Sequence, residues 1–222
     1  MAKDDITKSF KFIGTRPNRP DGFEKVTGRA KYGADISAVG MLHGAVLRSP
    51  YAHARIKSIN FEKAAKLDGV KAIITRDDFP KDREGEPLKL LENTIAGEIA
   101  YYDGHAIAAV AATSVFTAKE ALKEIEVEYE VLPHVIDVDE AMKPDAPIVR
   151  ENAGDFSVPE GSSPNVASYI EFGRGDITNG FDKADIVKSG LFKTEAAHQG
   201  YIEPHACMAQ LDHNGHGEMW VC

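Results

Sequence analysis

Cysteine is nearly missing from this 222-residue chain, which has only Cys207 and Cys222. Two thiols form neither a disulfide framework nor a clustered zinc set, so the sequence predicts two buried, reduced cysteines. Basic charge is also in deficit. The 26 Lys and Arg residues stand against 35 Asp and Glu, for a net charge of −9. Non-specific nucleic-acid binding needs the opposite footprint. Apolar runs such as 106–112 (AIAAVAA) fall far short of the ~20 residues of a membrane-spanning helix. Residues 1–12 are mostly polar and lack the apolar centre of a secretory signal, and Arg16 and Arg19 do not form a twin-arginine pair. The chain is therefore expected to be cytoplasmic. Neither G-x-G-x-x-G behind a strand nor G-x-x-x-x-G-K-[ST] occurs, which removes the two commonest phosphate loops.

What remains is globular in composition, with 43% apolar and 27% charged residues. Residues 1–19 read as an extended arm, because the prolines of GTRPNRPDG (14–22) disfavour helix. Residues 26–36 carry a short period-two pattern punctuated by Gly28 and Gly33. Strands are predicted at 41–48, 54–59, 70–75 and 106–112. A short helix is predicted at 61–67, begun by Asn60 and ended by Gly69. Residues 76–96, charged and proline-containing, read mainly as loop. Val115, Ala118, Leu122 and Ile125 share one face of a helix over 113–125, with Thr113 or Ser114 as its cap. Residues 126–132 (EVEYEVL) alternate strictly, as a strand with an acidic outer face does. The strand–helix–strand runs at 54–75 and 106–132 read as two α/β units.

Residues 137–164 are rich in Pro, Asp, Gly and Ser and mark a connection between two folded pieces. The second piece is expected to be β-rich, with short strand-like runs at 166–171, 184–187, 190–194, 201–210 and 217–221. The chain stops inside the last of these, so the sequence is expected to be incomplete, with its final strands short of partners.

Chemistry-bearing residues are sparse. On a strand, Glu203 and His205 of AAHQGYIEPHACMAQ would share a face, with His198 nearby, as metal ligands or an acid/base pair. The competing reading is a buried glutamate and histidine bonded to backbone, and it is preferred, because a zinc site needs three or four ligands. His213-Asn214-Gly215-His216 reads as a hairpin tip. Glu126, Glu128 and Glu130 read as a solvated strand face. Gly173-Arg174-Gly175-Asp176 reads as a turn, with no helix expected behind it. Neither cysteine has a His-plus-Asp set beside it. No residue is assigned a catalytic, cofactor-binding or metal-binding role.

Four blocks in order carry a resemblance: 21–32 (DGFEKVTGRAKY) with Asp35-Ile36; 42–54 (LHGAVLRSPYAHA); 102–112 (YDGHAIAAVAA) with Ala118, Ala121 and 127–133 (VEYEVLP); and Gly175-Asp176, Phe181, Ala184-Asp185 with 199–206 (QGYIEPHA). From about Gly14 to Cys222 the chain resembles the N-terminal part of the large, molybdopterin-binding subunit of molybdenum hydroxylases, the xanthine dehydrogenase and aldehyde oxidase family. The resemblance implies an α+β fold. An α/β hammerhead domain would occupy 20–133, a linker 134–164, and the β-rich beginning of a first molybdopterin-binding domain 165–222. It places the family's pterin-contacting and catalytic motifs beyond Cys222, so no catalytic residue transfers. Glu203 and His205 are expected to support the domain core.

For the complete assembly the resemblance implies a molybdenum–molybdopterin centre that oxidises a heterocycle, aldehyde or aryl-CoA substrate, with a glutamate as base. Iron–sulfur clusters and FAD are expected on partner subunits or domains, in an oligomer that engages neither nucleic acid nor membrane. This chain alone is expected to bind no cofactor, to be inactive, and to act as scaffold. The rival reading is a stand-alone hammerhead-fold binding or assembly module without catalysis.

Overall fold

A computed structural model describes residues 11–80, 86–150, 158–159 and 161–222. The first half of the expected arm, part of the 76–96 segment and part of the 137–164 connection lie outside the described residues. The chain divides into two compact units, one of residues Gly40–Gly190 and one of Met1–Val39 with Leu191–Cys222.

In chain order the elements are α1 (Gly22–Val26), β1 (His43–Arg48), β2 (Ala54–Asn60), α2 (Glu62–Ala65), β3 (Val70–Thr75), α3 (Glu86–Thr94), β4 (Ile99–Ala100), β5 (Ala106–Ala112), α4 (Val115–Lys123), β6 (Glu126–Val131), α5 (Val138–Ala141), α6 (Ile177–Asp182), β7 (Cys207–Leu211) and β8 (Gly217–Val221). The Gly40–Gly190 unit holds two antiparallel sheets, ordered β1-β5-β3 and β4-β2-β6.

The two strand–helix–strand runs do not each build one sheet. In both, the helix carries the chain from one sheet to the other: β2 and β3 lie in different sheets, and so do β5 and β6. Staying in one sheet through a helix would make the strands parallel, and every pairing here is antiparallel.

Strand β5 explains the packing. Ala108 and Val110 are buried with Ala64, Ala121 and Ile125, whereas Ile107 is buried with Ala96 and Ala100 in a second cluster. Leu47, Ile59 and Val127 pack against both clusters and join them. Alanines on β5 and on α4 (Ala118, Ala121, both fully buried) leave little bulk between helix and strand, so the two pack closely. Ser114 caps α4 by accepting the Thr117 N–H at 3.0 Å.

Several expectations are corrected. Residues 26–36 form no strand; they hold the end of α1 and a 3₁₀ turn at Gly33–Asp35. The 76–96 loop contains α3, with Pro87 in its first turn, where the missing N–H has no helical partner to lose. Among the described residues of 165–222 the strands are β7 and β8 alone, α6 is a helix, and 183–206 carries no regular structure. Large apolar side chains there lie open to solvent, among them Phe172, Phe192 and Ile202.

Two glycines separate close approach from simple turning. Gly69 has φ +88°, and a Cβ placed there would fall 2.6 Å from Thr113 Oγ1. Its carbonyl accepts the Thr113 N–H at 2.9 Å, locking the turn before β3 onto the start of α4. Gly104 has φ +85° with open space around it. Gly69→Ala is expected to destabilise the chain by about 2–3 kcal/mol, through strain plus overlap, and Gly104→Ala by about 1 kcal/mol through strain alone. Urea unfolding checks this; equal losses at the two sites would contradict the close approach at Gly69.

Candidate functional site

The segment singled out by sequence, 198–206, lies in the unit that contains β7 and β8. Strand β7 begins only at Cys207, so Glu203 and His205 precede it and the alternation that would put them on one face does not operate. Gly200, at φ +67°, turns the chain just before, and Pro204 stands between the two residues without a backbone donor.

Each side chain has its own partner. Glu203 Oε1 accepts the Gly33 N–H at 3.2 Å, across a large sequence separation. Gly33 opens the 3₁₀ turn that Asp35 closes by accepting the Tyr32 N–H at 3.1 Å. Any Cβ at position 33 would sit 3.3 Å from the Ala206 carbonyl oxygen, so a glycine suits this contact. His205 instead meets the Tyr201 phenol, 2.6 Å from its Nε2. The His198 ring lies 5.7 Å from each of those rings. Glu203 is thus a backbone tether, and His198, Tyr201 and His205 form an exposed aromatic cluster. Among the described residues, no three His, Cys, Asp or Glu side chains converge as a metal cage.

The remaining candidates resolve one by one. Asp212 organises the 213–216 hairpin tip by accepting the Asn214 and His216 N–H groups, both at 2.8 Å, and Gly215 there has φ +81°. Glu126 pairs with Lys63 at 2.6 Å, and Glu130 lies 3.9 Å from both Arg55 and Lys57, so the acidic face of β6 is solvated and ion-paired. The thiols are free but exposed, a correction to the buried expectation. Cys207 pairs with Val221 in the hairpin register, which sets Cys222 one residue out of step and on the opposite face. A helix does follow Gly173-Arg174-Gly175-Asp176, contrary to expectation. It is α6, and Asp176 occupies its first turn by accepting the Asn179 N–H at 2.9 Å. That carboxylate takes the place a phosphate would need.

Sequence reasoning overlooked a buried polar cluster in the other unit. His105 is completely buried at the entry to β5. The Tyr101 N–H donates to its Nδ1 at 3.2 Å, so the neutral ring carries its proton on Nε2. The Tyr102 ring stacks on it at 4.3 Å, and the Tyr102 hydroxyl donates to the Asn93 carbonyl at 2.8 Å. Nε2 has no hydrogen-bond partner among the described residues. Arg150 lays its guanidinium over the Tyr101 ring at 4.2 Å, 3.9 Å from the Glu92 carboxylate. Burial pushes the His105 pKa below its ordinary 6.5; the Glu92 carbonyl opposes this and the Arg150 charge adds to it. The Tyr102 bond to the Asn93 carbonyl holds the α3 end against the sheet. The one sequence signal was a histidine immediately before the apolar run at 106–112.

Residues 27–133 match the family described as aldehyde oxidase and xanthine dehydrogenase, a/b hammerhead domain, and residues 158–222 match the molybdopterin cofactor-binding domain. The chain is 32% identical to the nicotinate dehydrogenase large molybdopterin subunit of Eubacterium barkeri, over 94% of this chain and 46% of that protein. It is also 32% identical to the carbon monoxide dehydrogenase large chain of Afipia carboxidovorans, over 90% of this chain and 26% of that protein. Among solved structures, reconstituted CO dehydrogenase from Oligotropha carboxidovorans superposes with a TM-score of 0.80 at 31% identity, over 94% of this chain and 27% of that one. The aldehyde oxidoreductase of Desulfovibrio gigas gives 0.74 at 27% identity, over 91% of this chain and 23% of that one. The chain thus spans from about a quarter to under half of these relatives' length.

A buried imidazole with a lowered pKa binds fewer protons folded than unfolded. Stability therefore falls as pH drops below the unfolded value of about 6.5, down to the lowered folded value. His105→Gln removes this titration. The expected outcome is that the urea midpoint of the wild type falls relative to the variant between pH 7.5 and 5.5. A difference independent of pH would contradict the buried neutral imidazole.

Proposed function

The chain belongs to the molybdenum hydroxylase family of aldehyde oxidases and xanthine dehydrogenases, within its molybdopterin-binding large subunit, and on that premise we propose that its own work is structural: it supplies the hammerhead scaffold on which the cofactor-holding part of such a subunit is built. The observation that carries this reading is the succession of the two family domains in order, over 27–133 and 158–222.

The residues in hand do not themselves suit the cofactor. Glu203 is engaged by backbone, Asp176 fills the first turn of α6, and His205 is held by Tyr201. None of these presents an open donor set to a pterin, so on this reading the cofactor's ligands come from other parts of the subunit. Molybdopterin, when bound, supplies the redox chemistry, and the protein supplies orientation. The hammerhead's share is rigidity: two antiparallel sheets joined by one apolar core. The substrate class proposed for the whole assembly is a heterocycle, aldehyde or aryl-CoA compound. The proposed partners are the rest of the large subunit together with iron–sulfur and FAD subunits, in the cytoplasm. No helix among the described residues is long and apolar enough to cross a membrane.

The test is isolation of the tagged chain from its native source, with molybdenum measured by mass spectrometry and associated chains identified. The expected outcome is molybdenum at about one atom per assembled copy, together with flavin and iron. Recovery of the chain alone and metal-free would favour a stand-alone module instead.

A further inference from the structure

Between the two family-matched regions lies a segment, 134–157, that neither match covers. Its composition is that of a linker, yet its described part is held by side chains at several points. Immediately before it, His53 Nδ1 lies 2.7 Å from the Pro133 carbonyl oxygen, and the Leu132 N–H donates to the His53 carbonyl at 3.0 Å. Farther along, Arg150 is stacked on Tyr101 beside Glu92. These contacts fix the segment to the hammerhead side.

Asn165, inside the second matched region, fixes it from the other side. Its amide makes three hydrogen bonds: Nδ2 donates to the carbonyls of Ala141 (3.1 Å) and Pro147 (3.0 Å), and Oδ1 accepts the Val149 N–H (3.0 Å). Ser163 Oγ adds a donor to the same Ala141 carbonyl at 2.9 Å, and also accepts the Asn165 N–H at 3.3 Å. Ala141 is the last residue of α5, whose terminal carbonyls have no helical donors of their own. The arrangement calls for two donors and one acceptor in a planar fork on a short stem. Among side chains only an amide provides that fork, and glutamine is one methylene longer.

We propose that Asn165 is a latch: a positioning residue that ties the opening of the molybdopterin-domain region to the 141–149 segment, which Arg150 in turn ties to the hammerhead. The junction then transmits position instead of swinging as a free tether. The inference rests on the functional reading only for what the junction joins. Every contact it uses lies within the Gly40–Gly190 unit.

Aspartate tests the polarity of the latch. In Asn165→Asp, a carboxylate keeps the acceptor but replaces Nδ2, which supplies both donors, with one negatively charged oxygen facing the two carbonyls. Protonation restores one donor. Asn165→Ala removes all three bonds at every pH. The measurement is amide hydrogen exchange of the 222-residue chain, read on peptides from 140–150 and corrected for intrinsic rate, with strand β5 as internal reference. At pH 7 both variants are expected to lose at least tenfold in protection at Val149 while β5 is unchanged. At pH 4.5, relative to wild type at that pH, Asn165→Asp is expected to recover at least threefold and Asn165→Ala not at all. Wild-type protection in the alanine variant overturns the proposal, as does equal behaviour of the two variants at both pH values. Ser163→Ala, which removes the donor to the Ala141 carbonyl and the acceptor of the Asn165 N–H but leaves the Asn165 amide, is the milder check should β5 also lose protection. It is expected to lose about threefold locally, and no local change would count against the latch. The readout does not involve molybdenum, so failure of the latch and failure of the functional reading are separate results.

Discussion

Everything in the larger unit depends on how near α4 and the second sheet come to β5. That strand is almost without side chains: five of its seven residues are alanine, with Ile107 and Val110 as the exceptions. Ile107 serves one cluster and Val110 the other. Small residues at the centre let the surrounding elements supply the bulk, so Leu47, Ile59 and Val127 can each belong to both clusters. Enlarging one of the buried alanines would push the helix or a sheet outward and break the continuity of the core. The Gly69 approach to Thr113 is the same constraint at the helix's first turn.

How much of this was legible follows from which signals were local. Strand β6 and helix α4 each carry a complete period, and β3 and β5 are apolar-rich runs, so the sequence placed all four closely. The hairpin tip was readable because Asn-Gly before a strand has one favoured geometry. The two-sheet division was not readable, since antiparallel and parallel partners give the same alternation at the level of one strand. Helix α3 was hidden by charge and by Pro87, and α6 by Gly180 in its middle. The less favoured alternative, in which Glu203 and His205 share one strand face, does not hold, because Pro204 and Gly200 end the regular alternation before it reaches them. His105 was passed over because a lone histidine beside an apolar run reads the same whether it is buried or exposed. Its burial is decided by Tyr102 and the α3 end, which only tertiary structure brings together.

For function, the informative result is where polar side chains are already engaged. Glu203, Asp176, Asp212 and Asn165 each accept backbone N–H groups. Side chains used in this way organise turns and junctions, and the family match gives that organisation its context. Hydrogen-bonded carboxylates and amides at the ends of elements stand beside the apolar clusters as the contacts that hold each unit's segments in place.

The bond from Gly33 to Glu203 has a consequence for the order of events in synthesis. The smaller unit is made of two segments far apart in sequence, Met1–Val39 and Leu191–Cys222. On the ribosome its first half emerges long before its second half exists. The larger unit, whose residues are contiguous, has every strand available earlier and can fold behind the advancing chain.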